Sequence, residues 1–167
     1  MPSFTLTHEL GCDVDTFWKT FFDKDFNTRM FKEGLGFPSF EVVDQKDSDN
    51  EITRRSKVTP KMDVPGPVAK LLGASFTYTE DGTFDKASKI WRWKTMPSSM
   101  ADKVKSSGTV RVEPLGAGKC RRICDFDFEA KVFGLGGIIE GALEKNLRAG
   151  WDKSAEWMNR YFAENKA

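Results

Sequence analysis

The sequence predicts an α+β protein in which a curved antiparallel sheet of seven strands wraps around one long C-terminal helix, with two short helices after the first strand. Three observations predict it. Gly134 to Lys166 carries an apolar stripe at steps of three and four, namely Leu135, Ile138, Ile139, Ala142, Leu143, Leu147, Trp151, Ala155, Met158 and Phe162. Upstream of it, runs of strand length alternate apolar and polar residues and are separated by turn sequences. After the first of these runs the apolar spacing becomes helical for about twenty residues. A terminal helix of 33 residues spans roughly 50 Å at 1.5 Å per residue, more than a helix pair needs, so a sheet is expected to cover its apolar face.

Taken in order, Phe4, Leu6, His8 and Leu10 alternate with Ser3, Thr5, Thr7 and Glu9, which makes a half-buried first strand. Asp13 or Asp15 can cap the helix that follows, where Val14, Phe17, Trp18, Phe21 and Phe22 keep helical spacing. A second short helix is expected over Asp25–Glu33, stopped by Gly34. Phe40 and Val42, the turn Asp47-Ser48-Asp49-Asn50, then Ile52, Arg54, Ser56 and Val58 form a hairpin of strands two and three. Between Pro60 and Ala74 the alternation stops, and the segment through Val64, Val68, Leu71 and Leu72 reads as an apolar loop with a turn or two of helix. Strands resume at Phe76 and Tyr78, at Ile90–Lys94, at Gly108–Glu113 and at Cys120–Val132, with turns expected at Glu80-Asp81-Gly82 and Leu115-Gly116-Ala117-Gly118.

Composition narrows the function. The 167 residues suit one domain over the whole chain, large enough for a core and a cavity. With a net charge of +1 and charges of alternating sign, nothing calls for nucleic acid as a partner. The N-terminus lacks a basic stretch leading into an apolar run, and no window approaches the length of a membrane span, so a soluble cytoplasmic protein is expected. Cys120 and Cys124, four apart on a strand, are poorly placed to bridge; free thiols are expected, and neither a metal nor a cofactor is. His8 is the only histidine, so no two-histidine metal site can form. Gly134-Leu135-Gly136-Gly137 lacks the lysine and spacing of a phosphate loop, and there is no serine nucleophile elbow. The 14 Phe and 5 Trp are more ring area than a core of this size needs, which leaves two readings: a Phe-rich solid interior, or a roomy one lined with rings.

The order of elements, Pro65-Gly66-Pro67 leading to Leu72-Gly73, the strand Ile90-Trp91-Arg92-Trp93, and Phe133-Gly134-Leu135-Gly136-Gly137 entering the terminal helix resemble the START-like, helix-grip superfamily that includes the birch pollen allergens. Within it they look like a bacterial family of uncharacterised members. The resemblance covers the whole chain and implies an apolar cavity between sheet and helix that holds a lipid, fatty acid or sterol-like molecule. Other members are aromatase/cyclase- or hydratase-like enzymes on polyketide-like substrates, or interaction modules of the chaperone-activator kind, and these remain the alternatives. For an enzyme, His8 and Tyr78 are the candidate acid and base, although no convergent pair is evident and a structural histidine fits His8 as well.

Strand parity and the helical stripe select the residues expected to contact a ligand. Arg54 and Ser56, Trp91 and Trp93, Val110, and Arg122, Phe126 and Phe128 belong to inward-facing rows of the strands. Leu143, Asn146, Leu147 and Trp151 come from the helix, and Leu71 and Leu72 from the apolar loop. The two arginines stand out: a guanidinium on an apolar face must find an anion or several acceptors, from a ligand or from Asp44, Asp125 or another acid of the chain, unless it lies near a strand end and snorkels to solvent. The segment Val64–Leu72 is expected either to form the mouth of the cavity and open for cargo, with Lys70 near lipid headgroups in a transient contact with a membrane surface, or to pack as a static plug on the end of the sheet.

Overall fold

The computed structural model describes residues 3–165. The elements run β1 (Ser3–Leu10), α1 (Val14–Phe21), α2 (Lys24–Arg29), β2 (Ser39–Asp47), β3 (Glu51–Thr59), α3 (Gly66–Leu72), β4 (Tyr78–Asp85), β5 (Ile90–Pro97), β6 (Val104–Gly116), β7 (Lys119–Ala130) and α4 (Gly136–Glu164). One seven-stranded antiparallel sheet in the order β1-β7-β6-β5-β4-β3-β2 curves around α4, as the alternation predicts. Asp13 caps α1 by accepting from Thr16 N at 2.8 Å, and Asp23 caps α2 by accepting from Phe26 N at 2.9 Å. The second helix therefore starts a residue earlier than expected, and it ends in a single π-helical turn over Met30–Gly34.

The expected turn at Glu80-Asp81-Gly82 is overturned: these residues lie in the middle of β4, and the chain reverses at residues 86–89, where Lys89 takes a φ of 57°. Gly82 is there for packing. A Cβ at this position would sit 1.9 Å from the Trp91 ring, so only glycine lets the indole lie flat on the neighbouring strand. Asp81 points outward into a two-pronged pair with Arg55 at 2.7 and 3.0 Å, which holds Tyr78, Glu80 and Phe84 to the concave face. The sequence signal was present in the alternation Phe76, Tyr78, Glu80, Gly82, Phe84, but a Glu-Asp-Gly triplet imitates turn chemistry.

Helix α4 begins at Gly136, after Gly134 turns the chain at φ 74°. Ile139 is buried while Ile138 is exposed, and Trp157, absent from the expected stripe, packs edge-on against Phe26 at 5.5 Å. Apolar packing gathers at the two ends of the helix. Ala155, Trp157, Met158 and Phe162 join α1, α2 and the sheet in the main core, and Ile139 joins Val68, Val104 and Ala130 in a smaller one. The stretch between them, Leu143 to Ser154, bridges a gap. No described helix is long and apolar enough to cross a membrane, and the three cysteines are buried free thiols.

Candidate functional site

Beneath that stretch of α4 lies a cavity of about 420 Å³. Its roof is α4, from Leu143 to Ser154 together with Met158; its back wall is ring-rich, from Phe17, Phe21 and Phe26 of the early helices; its floor is the concave face of β3 to β7. The pairing Arg54–Gly82–Trp93–Gly108 runs straight across that floor. At Gly108 an added Cβ would collide with the Asp125 carbonyl oxygen at 2.3 Å and with the Trp93 indole at 2.7 Å. Each tryptophan thus lies over a glycine on the next strand.

Of the residues selected from sequence, Arg54, Trp91, Trp93 and Arg122 from the strands and Leu143, Asn146, Leu147 and Trp151 from the helix stand on the cavity wall. The remaining six stand elsewhere. Ser56, Val110, Phe126 and Phe128 are buried in the packing off the wall. Leu72 borders a separate small void of about 30 Å³, and Leu71 is exposed, because α3 docks through Val68 onto the end of the sheet. The segment just before α3 is the one that reaches the cavity, through Lys61, Met62 and Asp63. It is clasped to α4: Asp63 N donates to Asn146 Oδ1 at 3.0 Å, Asn146 Nδ2 donates to Asp63 O at 2.9 Å, and Lys145 pairs with the Asp63 carboxylate at 2.7 Å, which holds that carboxyl below its usual range. Asn146 is therefore engaged by the chain itself.

Both arginines are buried. Arg122 donates to His8 Nδ1 and to Trp151 O, each at 3.1 Å, and its guanidinium lies 4.6 Å from the Trp151 ring centre. His8 in turn is 2.7 Å from the Asp152 carboxylate through Nε2. Accepting from Arg122 leaves His8 the tautomer with its proton on Nε2, and burial, the stronger influence, holds its pKa below 6.5 against the pull of Asp152. His8 sits behind Arg122 and is not on the wall, and β1 and β4 are four strand steps apart, roughly 19 Å along the sheet, so His8 and Tyr78 do not form a pair.

Arg54 is answered differently. It donates once, to Phe21 O at 2.6 Å, and stacks 4.6 Å from the Phe21 ring and 5.0 Å from Trp91. Burial lowers its pKa to about 10, which leaves it charged at neutral pH. Glu80, diagonal to it on β4, also faces the cavity, and burial raises its carboxyl above the ordinary 4.5 against the pull of Arg54. Tyr78 completes the corner, its phenol pushed up by the same burial. The site is an apolar chamber with one polar corner, and sequence reasoning missed Glu80 because it assigned that residue to a turn.

This architecture is the helix-grip fold, and solved structures agree in fold. The chain is similar to Zhui aromatase/cyclase from Streptomyces sp. R1128, with 16% identity over 95% of this chain and 94% of that one and a TM-score of 0.65. Norcoclaurine synthase from Thalictrum flavum, in complex with dopamine and hydroxybenzaldehyde, has 15% identity over 99% and 88% and a TM-score of 0.64. A START superfamily protein from Mycobacterium smegmatis has 13% identity over 93% and 97% and a TM-score of 0.55. The chain itself belongs to the family described as Protein of unknown function (DUF2505), which matches residues 5–162. No curated protein matches it.

Proposed function

We propose that the protein binds a hydrophobic small molecule, of lipid, fatty acid or sterol-like character, between the sheet and α4, and carries or sequesters it. One observation carries this reading: a ring-lined chamber of about 420 Å³ lies under α4. Protein interiors hold few voids larger than a water molecule, whereas small-molecule sites run from about 300 to 1,000 Å³. A ligand burying about 300 Å² of apolar surface there gains about 7.5 kcal/mol before the costs of association, so strong binding needs little polar contact. The exposed Leu71 and Phe133, with Lys70 beside the former, support a transient contact of the α3 end with a membrane surface.

A second reading, conversion of the bound molecule by chemistry of the aromatase/cyclase or hydratase kind, is favoured by the polar corner. A cation beside a carboxyl of raised pKa is an arrangement that general acid chemistry uses. Titration with a fluorescent fatty acid or sterol tests binding. Trp91, Trp93 and Trp151 line the chamber, so their emission should be quenched saturably, and Leu147→Trp should abolish the quenching while the protein stays folded. Unchanged emission across a broad panel of hydrophobic ligands would reject the reading. Substrate turnover, absent in Glu80→Gln, would move the assignment to the enzyme.

A further inference from the structure

The polar corner turns three groups with unused hydrogen-bonding capacity toward one chamber. Of the five N–H donors of Arg54, one meets the Phe21 carbonyl, and the described residues give the others no acceptor. Glu80 and Tyr78 make no side-chain hydrogen bond among the described residues, and Arg54 and Glu80 make no ion pair with each other, although they are diagonal neighbours on adjacent strands. All three line the same chamber. Their unbonded atoms open onto the chamber, and the rings of Phe21 and Trp91 against the Arg54 guanidinium hold it beside that space.

Resting on the binding reading above, we propose that Arg54, Tyr78 and Glu80 form one subsite for a hydroxyl group of an otherwise apolar ligand, its oxygen accepting from Arg54 and its hydrogen directed to Glu80 or Tyr78. Three head groups compete for such a corner. A ketone accepts from Arg54 and leaves an ionised Glu80 with no donor. A carboxylate suits Arg54 but requires Glu80 to hold a proton. A hydroxyl both donates and accepts, so it satisfies Arg54 and Glu80 whichever protonation state the carboxyl adopts. Trp91 and Trp93 beside the corner then hold the apolar body of the ligand.

The test is displacement of the neutral fluorophore N-phenyl-1-naphthylamine by three compounds with one apolar body: para-octylphenol, octylbenzene and para-octylbenzoate. The phenol should displace it at roughly tenfold lower concentration than either of the others, the worth of one well-placed buried hydrogen bond. In Glu80→Leu that advantage, measured against octylbenzene on the same variant, should collapse toward unity. Tyr78→Phe, which removes one oxygen and keeps the ring, should reduce it part of the way, and it serves as the test where the leucine variant does not fold. Equal potency of the three heads, the benzoate leading, or a phenol advantage that survives Tyr78→Phe and Glu80→Leu would overturn the proposal while leaving the binding reading in place. Failure of the fluorophore and of all three compounds to bind would overturn both.

Discussion

Two buried arginines, one on each flank of the concave face, have been treated in opposite ways. On the β7–β1 flank Arg122 is enclosed by His8, Trp151 O and, through His8, Asp152. On the β3–β4 flank Arg54 has one carbonyl and two rings, and an unpaired Glu80 beside it. The side chain and the depth are the same; the bonding capacity left over is not. Arg122 donates from both terminal nitrogens to groups of its own fold and leaves only Nε without a partner, whereas Arg54, with a single donation, keeps more of its bonding capacity for a ligand in the cavity.

The largest effect that could break this contrast is on stability. Arg122→Met strips two acceptors of their donor and separates Asp152 from the charge it balances, so urea unfolding should show a loss of about 3 kcal/mol. Arg54→Met severs one hydrogen bond and keeps the packing, with an expected loss of about 1 kcal/mol; the reverse order would end the comparison. Glu80→Gln sharpens it through pH. Because the folded carboxyl titrates above 4.5, the stability that its protonated form supplies is complete below that value and is lost as pH rises through the folded pKa. The thermal midpoint of the Gln variant should therefore gain on the wild type as pH rises above 4.5 and through the folded pKa.

His8 has the opposite sign. Its folded pKa lies below 6.5, so its contribution is present above that pH and is lost as pH falls through the depressed value. His8→Gln should flatten the acid limb of the stability curve, and an unchanged limb would detach His8 from the Arg122 network. The smallest expected effect belongs to the clasp over the cavity. Asn146→Ala removes both hydrogen bonds to the Asp63 backbone and should raise the stopped-flow association rate of N-phenyl-1-naphthylamine roughly threefold with little change in thermal midpoint.

Much of this was legible in the sequence because periodicity reports burial. The alternation in β1, β3, β5 and β7 and the stripe of α4 gave the sheet, the roof and the inward direction of Arg54, Trp91, Trp93 and Arg122. What periodicity cannot report is which inward residue meets open space and which meets another side chain, and so Phe126 and Val110 were grouped with Trp93 although the structure puts them off the wall. Nor could it show that Asn146 is bonded to a segment 83 positions away, or that α3 would dock on the sheet end through Val68. Local chemistry misled at Glu80-Asp81-Gly82, where a glycine required by a tryptophan on another strand looked like one required by a turn.

Those glycines have a consequence for how such a chamber could change its contents over evolutionary time. Gly82 and Gly108 lie beneath Trp91 and Trp93; a methyl group at Gly82 would tip the Trp91 indole upward, and one at Gly108 would press on both Trp93 and the Asp125 carbonyl of the next strand. The headroom available to a guest is thus regulated from under the floorboards, by two positions shielded from the guest by the indoles above them. Substitutions there would act as coarse adjustments of capacity, leaving the composition of the visible lining untouched, and a lineage could exchange a bulky cargo for a slender one without altering any wall residue at all.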